Sequence, residues 1–354
     1  MTFSGLHLAL IVPILSLSGC TADEPTVERV TVMSFNVQNL FDNIDDPGKD
    51  DKAYLPIEAK QDESHIAACN EIKVDSWRDE CLNLDWSDAA IDRKLNALAA
   101  TIRQVNGGAG ADVIALQEVE NASILDRLRT EKLADLGYQP AILVEGTDLR
   151  GIDVAILSKL PLAGEAILHP LLLPDFPERE GDTRGVLQAT FVLPDESLLT
   201  GFSVHFPAPF HPTPMRIAAY QHLASLLDAL PPDHHAFAAG DFNTTSKEDE
   251  REGLIDAYAR SHWTVAHDIG CGDCEGSYYY HGDSTWSFLD MILFASARGG
   301  KATSQIRGDS VRIANQYPPQ VSENSTPERF SSTKGTGVSD HWPMVATIEL
   351  TEKQ

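Results

Sequence analysis

The sequence predicts an α/β fold in which β-sheets pack face to face and helices cover their outer sides. Three observations carry this. Apolar runs of strand length recur along the whole chain and outnumber the stretches with helical spacing. The helical stretches fall between those runs rather than in a block of their own, which places them against the sheets. The composition, 42% hydrophobic and 23% charged, is that of an ordinary globular chain. No internal repeat is visible, and polar motifs recur at strand ends up to the C-terminus, so residues 30–350 read as one domain.

The chain opens with an uncharged apolar run, residues 6–17, that closes in Leu17-Ser18-Gly19-Cys20. A run this short spans a bilayer poorly but suits a signal-peptide core. Small residues directly before a cysteine resemble the bacterial lipoprotein cleavage box, although no Lys or Arg precedes the run as a signal peptide normally requires. That resemblance implies a signal peptide over 1–19, a lipidated Cys20, a polar linker over 20–29, and a bacterial cell-envelope location facing the periplasm or exterior. A plain secretory signal with a coincidental cysteine is the alternative. Removing 19 residues would leave 335, within the range of one large α/β domain. Export leaves Cys69, Cys81, Cys271 and Cys274, an even number that predicts disulfides. The sequence-local pairing is Cys69 with Cys81 and Cys271 with Cys274. Cys271-Gly-Asp-Cys274 could instead be half a zinc site, but no second CxxC or HxxxH follows at the spacing of zinc ligands.

The elements follow in order. Residues 30–37 (VTVMSFNV) are β-branched and apolar and predict a strand. Residues 42–88 show no period, carry 14 acidic against 5 basic residues, and read as a long inserted loop held by one disulfide. Within it Asp42, Asp45, Asp46, Asp50 and Asp51 read as a solvated charge run, with a bound calcium ion as the alternative. Ile91, Leu95, Leu98, Ile102 and Val105 step by three and four and mark an amphipathic helix that stops at Gly107-Gly108. Residues 112–119 (DVIALQEV) predict a buried strand that delivers a carboxylate to its C-terminal end. A second helix covers about 123–136. Further strands are legible at 153–158, 186–193, 199–206, 236–242, 288–294 and 344–350. A third helix opens at Thr213-Pro214, read as cap and first-turn proline, with Ile217, Tyr220, Leu223 and Leu227 on one face.

The recurring feature is an apolar strand that ends in an acid–base or metal-binding residue: Asn36, Glu118, His205, Asp241 with Asn243, Asp290, and Asp340 with His341. One such residue is commonplace in a turn; six strand ends of this kind define a candidate site. The motifs FNVQNLFD, ALQEVEN, RGIDVAILS, VHFPAP, GDFN, FLDMILF and VSDHWP, in this order over about residues 30–350, resemble the endonuclease/exonuclease/phosphatase superfamily, pancreatic deoxyribonuclease among its members. The resemblance implies a four-layer sandwich of two mixed sheets and hydrolysis of phosphodiesters with a divalent ion. Carboxylate and amide oxygens suit Mg²⁺ or Mn²⁺, with Ca²⁺ an alternative. On that resemblance Glu118, Asn36 and Asp340 are the metal ligands; Gln38, often Asp in the base-excision branch, could coordinate only as a neutral ligand.

By the same resemblance Asp241 orients or deprotonates water, Asn243 donates to the phosphate, His341 pairs with Asp290, and His205 helps protonate the leaving oxygen. A buried structural role is the alternative for His205. Arg150 and Arg184 precede strands as candidate phosphate clamps, with surface salt bridging as the other reading. Tyr278, Tyr279, Tyr280 and Trp286 read as loop packing beside the Cys271–Cys274 turn, or as a stacking platform for bases.

The substrate expectation is nucleic acid, DNA or RNA, against a formal charge of −26 that repels polyanions at long range. The alternatives are a lipid head group or small phosphate ester, for which a membrane anchor would serve, and a binding module that has lost catalysis. No protein partner is implied.

Overall fold

The alternation along the first strand, β1 (Val27–Leu40), sets out the layers. Val30 and Val32 point into a core between two sheets, while Met33, Phe35 and Val37 point the other way into a second core against helices. Both faces of the strand are therefore buried, which is why its sequence is an apolar run rather than an apolar–polar alternation. The structure is a computed structural model and describes residues 1–2, 27–299 and 302–352. The expected signal peptide, Cys20 and most of the linker lie outside the described residues. Among the described residues no helix is long and apolar enough to cross a membrane.

After β1 come α1 (Glu63–Asn70), α2 (Asp75–Asn83), α3 (Asp88–Ile102), β2 (Val113–Val119), α4 (Ala122–Arg127), β3 (Ile142–Leu143) and β4 (Asp153–Ser158). The second half adds β5 (Ile167–His169), β6 (Val186–Val192), β7 (Leu198–His205), α5 (Thr213–Ala229), β8 (His234–Asp241), α6 (Ser246–Glu252), β9 (Thr264–Val265) and α7 (Ala266–Ile269). The hairpin β10 (Tyr278–Tyr280) and β11 (Thr285–Ser287) precedes β12 (Asp290–Ala295), β13 (Ala302–Ile313) and β14 (Met344–Glu352).

Two six-stranded sheets result, ordered β13-β14-β1-β2-β4-β3 and β5-β6-β7-β8-β12-β9. Both are mixed: β1 runs parallel to β2, and β7 parallel to β8, while the other pairings are antiparallel. Val113, Ala115 and Ile156 of one sheet face Leu187, Phe237 and Ile292 of the other. Leu95, Leu98 and Ile102 of α3 cover the outside of the first sheet, and Tyr220 and Leu223 of α5 cover the second. The expected α/β sandwich of two mixed sheets with helices outside is the observed architecture.

The structure departs from the sequence reading in three places. The acidic insert is not a bare loop: α1 and α2 lie within it and Cys69–Cys81 joins them. Its aspartates are not all solvated, since Asp51 is 2% exposed, as is Glu120 at the end of β2. Burial, and then Asp42, Asp46 and Asp51 nearby, push the Glu120 carboxyl up to about 8. Thr213 is the first residue of α5 rather than its cap, and its hydroxyl donates to Glu248 Oε1 at 2.6 Å. The second expected disulfide, Cys271–Cys274, is present.

Candidate active site

The site lies where the ends of β1 and β2 in one sheet meet the ends of β7 and β8 and the start of β12 in the other. Sheet register does most of the assembly. His205 is paired with Asp241 across β7 and β8, and Asp241 with Asp290 across β8 and β12, so three site residues occupy one row. Gly240, just before Asp241, has φ +155, and a Cβ there would lie 2.0 Å from the Val204 carbonyl oxygen. Only glycine lets the two backbones approach this closely.

In the first sheet the row is made by bulges. The β1–β2 and β2–β4 pairings both slip at this end, and Gln38, Asn39 and Glu118 take φ of 53°, 57° and 64°. Strict alternation would send Glu118 to the helix-covered side with Ile114 and Leu116; the left-handed residue turns it to the cleft instead. Such backbone in a non-glycine residue stores strain that the surroundings must hold. They do: Glu118 Oε1 accepts from Asn36 Nδ2 at 3.2 Å and Oε2 from the Asn39 N–H at 3.0 Å. Fully buried Asn36 also donates to Asp241 Oδ2 at 3.1 Å, joining the two sheets at the site. Its Oδ1 accepts from the Gln38 N–H, and Gln38 Oε1 accepts from the Phe330 N–H at 2.9 Å. Gln38 thus anchors the 330 loop instead of facing the cleft as a neutral ligand.

The last motif closes the site from behind. Ser339 Oγ donates to the Asn36 carbonyl at 2.7 Å and accepts from the His341 N–H at 3.1 Å, which fixes the turn that presents Asp340 and His341. His341 Nδ1 lies 2.7 Å from Asp290 Oδ2, and its Nε2 lies 3.9 Å from Asp241 Oδ2. Burial alone would lower the imidazole pKa. Asp290, by charge and hydrogen bond, then Asp241 and Asp340, overcome it and push His341 up to about 10. His341 is therefore a cation at neutral pH.

Asp241 is 2% exposed, and burial, reinforced by Asp290, lifts its carboxyl to about 7 against the opposing pull of His341 and the Asn243 N–H. Asn243, itself at φ 51, donates its backbone N–H to Asp241 Oδ1 at 2.9 Å and its amide to the Phe206 carbonyl at 2.9 Å. His205 Nε2 lies 3.6 Å from Asp241 Oδ2. Burial first, then Arg184, Arg150 and His341, hold its pKa well below the ordinary histidine value, so it is neutral where His341 is charged.

These residues floor a cleft of about 770 Å³. Glu118, His205, Asp241, Asn243, Asp340 and His341 line it, with Arg150, Arg179, Arg184 and Lys247 at its sides. Asn36 and Asp290 stand behind that lining. Arg150 Nη2 donates to Asn39 Oδ1 at 2.8 Å, and Arg184, 6% exposed, pairs with buried Asp148 at 3.1 Å, so Arg184 is no surface salt bridge. Tyr278 and Tyr280 of β10 line the cleft, while Tyr279 packs on Trp286 and Trp286 on Trp342. The packing reading holds for Tyr279 and Trp286, while Tyr278 and Tyr280 face the cleft. Asp340, paired with Arg329 at 3.2 Å, and Glu118 are the two metal-type carboxylates that are part-exposed in the cleft. Mg²⁺ takes one or two protein carboxylates and keeps its remaining positions for water and phosphate, so this donor set fits it. Asn36, whose amide nitrogen faces both Glu118 and Asp241, orients that set from behind.

Several contributors were not read from the sequence. Lys94 of α3 is fully buried, donates to the Val338 carbonyl at 2.7 Å and lies over the Phe330 ring. Its only sequence signal is a lysine within the apolar stripe of the helix. Arg216 of α5 pairs with Glu248 and donates to the carbonyls of Pro207, Ala208 and His211, bracing the loop after His205. His211 lines the cleft on that loop, and no motif in the sequence marks it.

This chain belongs to the endonuclease/exonuclease/phosphatase family, whose description matches residues 33–341. Among solved structures it resembles an endonuclease/exonuclease/phosphatase family protein from Bacteroides thetaiotaomicron, with 15% identity, 92% of this chain and 98% of that chain covered, and a TM-score of 0.55. It also resembles a humanized D. rerio TDP2, with 13% identity, 90% and 98% coverage and a TM-score of 0.54. D. rerio TDP2 complexed with a single-strand DNA product gives 14%, 90%, 98% and 0.53. At such identities these likenesses speak for the fold. Comparison with curated protein sequences gives no match.

Proposed function

We propose that this chain is a metal-dependent phosphodiester hydrolase acting on DNA or RNA, by attack of water on phosphorus. The observation that carries the reading is the Asp241 carboxylate, set beside neutral His205 and cationic His341 on the floor of a cleft walled by arginines. A carboxyl with a pKa near 7 is half ionised at neutral pH and can take a proton from an attacking water. His341, held protonated by Asp290, places positive charge where the pentacovalent transition state gathers negative charge. It can also return a proton to the leaving oxygen. Neutral His205, its Nε2 3.6 Å from Asp241 Oδ2, stands beside the carboxylate as an uncharged imidazole rather than as a second cationic acid. Glu118 and Asp340 would hold Mg²⁺ or Mn²⁺, which when bound supplies charge neutralisation to the phosphate and leaving oxygens.

Two features favour nucleic acid. Arg150, Arg179, Arg184 and Lys247 line the cleft of a chain whose formal charge is −26; Arg184 is paired with Asp148 and Lys247 with Asp283, and their remaining N–H groups offer donors to phosphate oxygens. Phe210 and Tyr280, 81% and 54% exposed, stand at the cleft and offer faces for unpaired bases. The D. rerio TDP2 structure holding a single-strand DNA product is a relative in fold with such a ligand. We further propose that Cys20 carries a lipid in the bacterial envelope, which mass spectrometry of the cell-purified protein tests directly.

The test is cleavage of plasmid DNA, RNA and bis(p-nitrophenyl) phosphate with Mg²⁺ or Mn²⁺, with Asp241→Ala and His341→Ala as controls. Loss of DNA or RNA cleavage in both variants supports the reading. Cleavage of the small diester alone would move the substrate to lipid or small phosphate esters, and inactivity on all three would overturn it.

A further inference from the structure

Outside the cleft, the described residues contain a second group of carboxylates with no counter-charge. Asp46, Asp51 and Glu120 each offer an oxygen, and these oxygens all lie within 4.8 Å of one another. Asp51 and Glu120 are each 2% exposed. Among the described residues no Lys or Arg forms an ion pair with any of the three. Backbone contacts satisfy part of the group: Asp51 Oδ2 accepts from the Asp46 N–H at 2.9 Å and Glu120 Oε2 from the Asp42 N–H at 2.6 Å. Asp51 Oδ1, however, is buried with no hydrogen-bond partner. An ionised oxygen left so is costly unless a cation meets it.

We propose that Asp46, Asp51 and Glu120 form a Ca²⁺ site that ties the acidic insert to the end of β2, separate from the cleft carboxylates. The separation suits the ion. Calcium–oxygen distances of about 2.3–2.6 Å allow ligand oxygens on one ion to lie up to roughly 4.8 Å apart. Calcium accepts six to eight oxygens in flexible geometry, so three carboxylates, nearby carbonyls and water suffice. The site also has a lever on the cleft. Next to Asp51, the Asp50 N–H donates to the Leu149 carbonyl at 2.7 Å, and Lys49 Nζ donates to the Asp148 carbonyl at 2.9 Å. Asp148 in turn holds the Arg150 N–H and the Arg184 guanidinium. The ion thereby sets the loop 146–150 that carries Arg150 to the cleft rim.

The experiment uses the full chain carrying Glu118→Gln and Asp340→Asn, so that the cleft carboxylates do not compete, and reads CaCl₂ binding by isothermal titration after chelation. The expected result is one Ca²⁺ per chain, accompanied by a raised Tm. Adding Asp51→Asn or Glu120→Gln weakens binding at least ~100-fold, since each removes one of the charges that set affinity. Asp51→Asn also relieves uncompensated repulsion, so in chelator it melts above its parent, and neither variant responds to Ca²⁺. No Ca²⁺ binding by the cleft-silenced parent would overturn the proposal without recourse to the insert variants. Binding left unchanged by both substitutions would overturn it equally.

Discussion

Replacing Asp290 by Asn keeps the shape of the site and removes the charge on which the His341 proton depends. The two side chains meet at 2.7 Å with His341 7% exposed and Asp290 fully buried. With Asp290 present the imidazole titrates at about 10. Without it, burial is opposed by Asp241 and Asp340, and the midpoint falls towards the ordinary value of about 6.5. A group titrating at ~6.5 is protonated in about 3% of molecules at pH 8, so loss of the imidazolium costs ~30-fold in turnover there. The assay is kcat/KM against pH on bis(p-nitrophenyl) phosphate for both forms. The wild type rises as Asp241 loses its proton near pH 7 and falls as His341 loses its own near pH 10; in the variant that falling limb moves down from pH 10 towards the ordinary histidine value. The stability sign follows from the raised pKa. The His341 contribution is complete below the unfolded-state value of about 6.5 and fades as pH climbs to about 10, a loss the variant lacks. An Asp290→Asn enzyme with wild-type turnover at pH 8 and an intact alkaline limb would refute the reasoning.

Other perturbations reach the frame around the site. Glu248→Ala leaves the buried Arg216 guanidinium without its partner, and urea denaturation should show a loss of about 3–5 kcal/mol. Cys69→Ser with Cys81→Ser opens a loop of sequence separation 12; the chain-entropy account sets the cost near 3 kcal/mol, read from the shift of a thermal or urea transition. Arg150→Ala should raise KM for a phosphodiester about tenfold with a smaller change in kcat, measured by steady-state kinetics. Arg184→Ala adds a loss of stability because Asp148 is left buried and unpaired.

Much of this site was legible in the sequence because its residues end apolar runs. A buried strand such as 236–242 has a clear signature, and the polar residues at its end, Asp241 and Asn243, can only lie at the sheet's edge. The row His205, Asp241 and Asp290 comes from strand register, which only the assembled sheet shows; their roles were legible through the family resemblance. What escaped depends on contacts between distant segments. Strand β13 carries Gln305, Arg307 and Asp309 on a bulged edge, so no period marks it. The insert helices have little apolar face, and their order is backed by the Cys69–Cys81 bridge. Burial of Asp51 and Glu120, and of Lys94 and Arg216, cannot be seen from a charged residue alone, because only the fold shows which charges leave water. Glu118 was placed correctly at a strand end, but the left-handed backbone that turns it into the cleft has no glycine to announce it.

The most direct test of the central claim is hydrolysis of a defined phosphodiester by the wild-type chain with Mg²⁺ in ¹⁸O-labelled water, reading the label by mass spectrometry. The account predicts one ¹⁸O on the phosphate product and none on the alcohol, with turnover lost in Asp241→Ala. Label in the alcohol, or undiminished turnover in that variant, would contradict it.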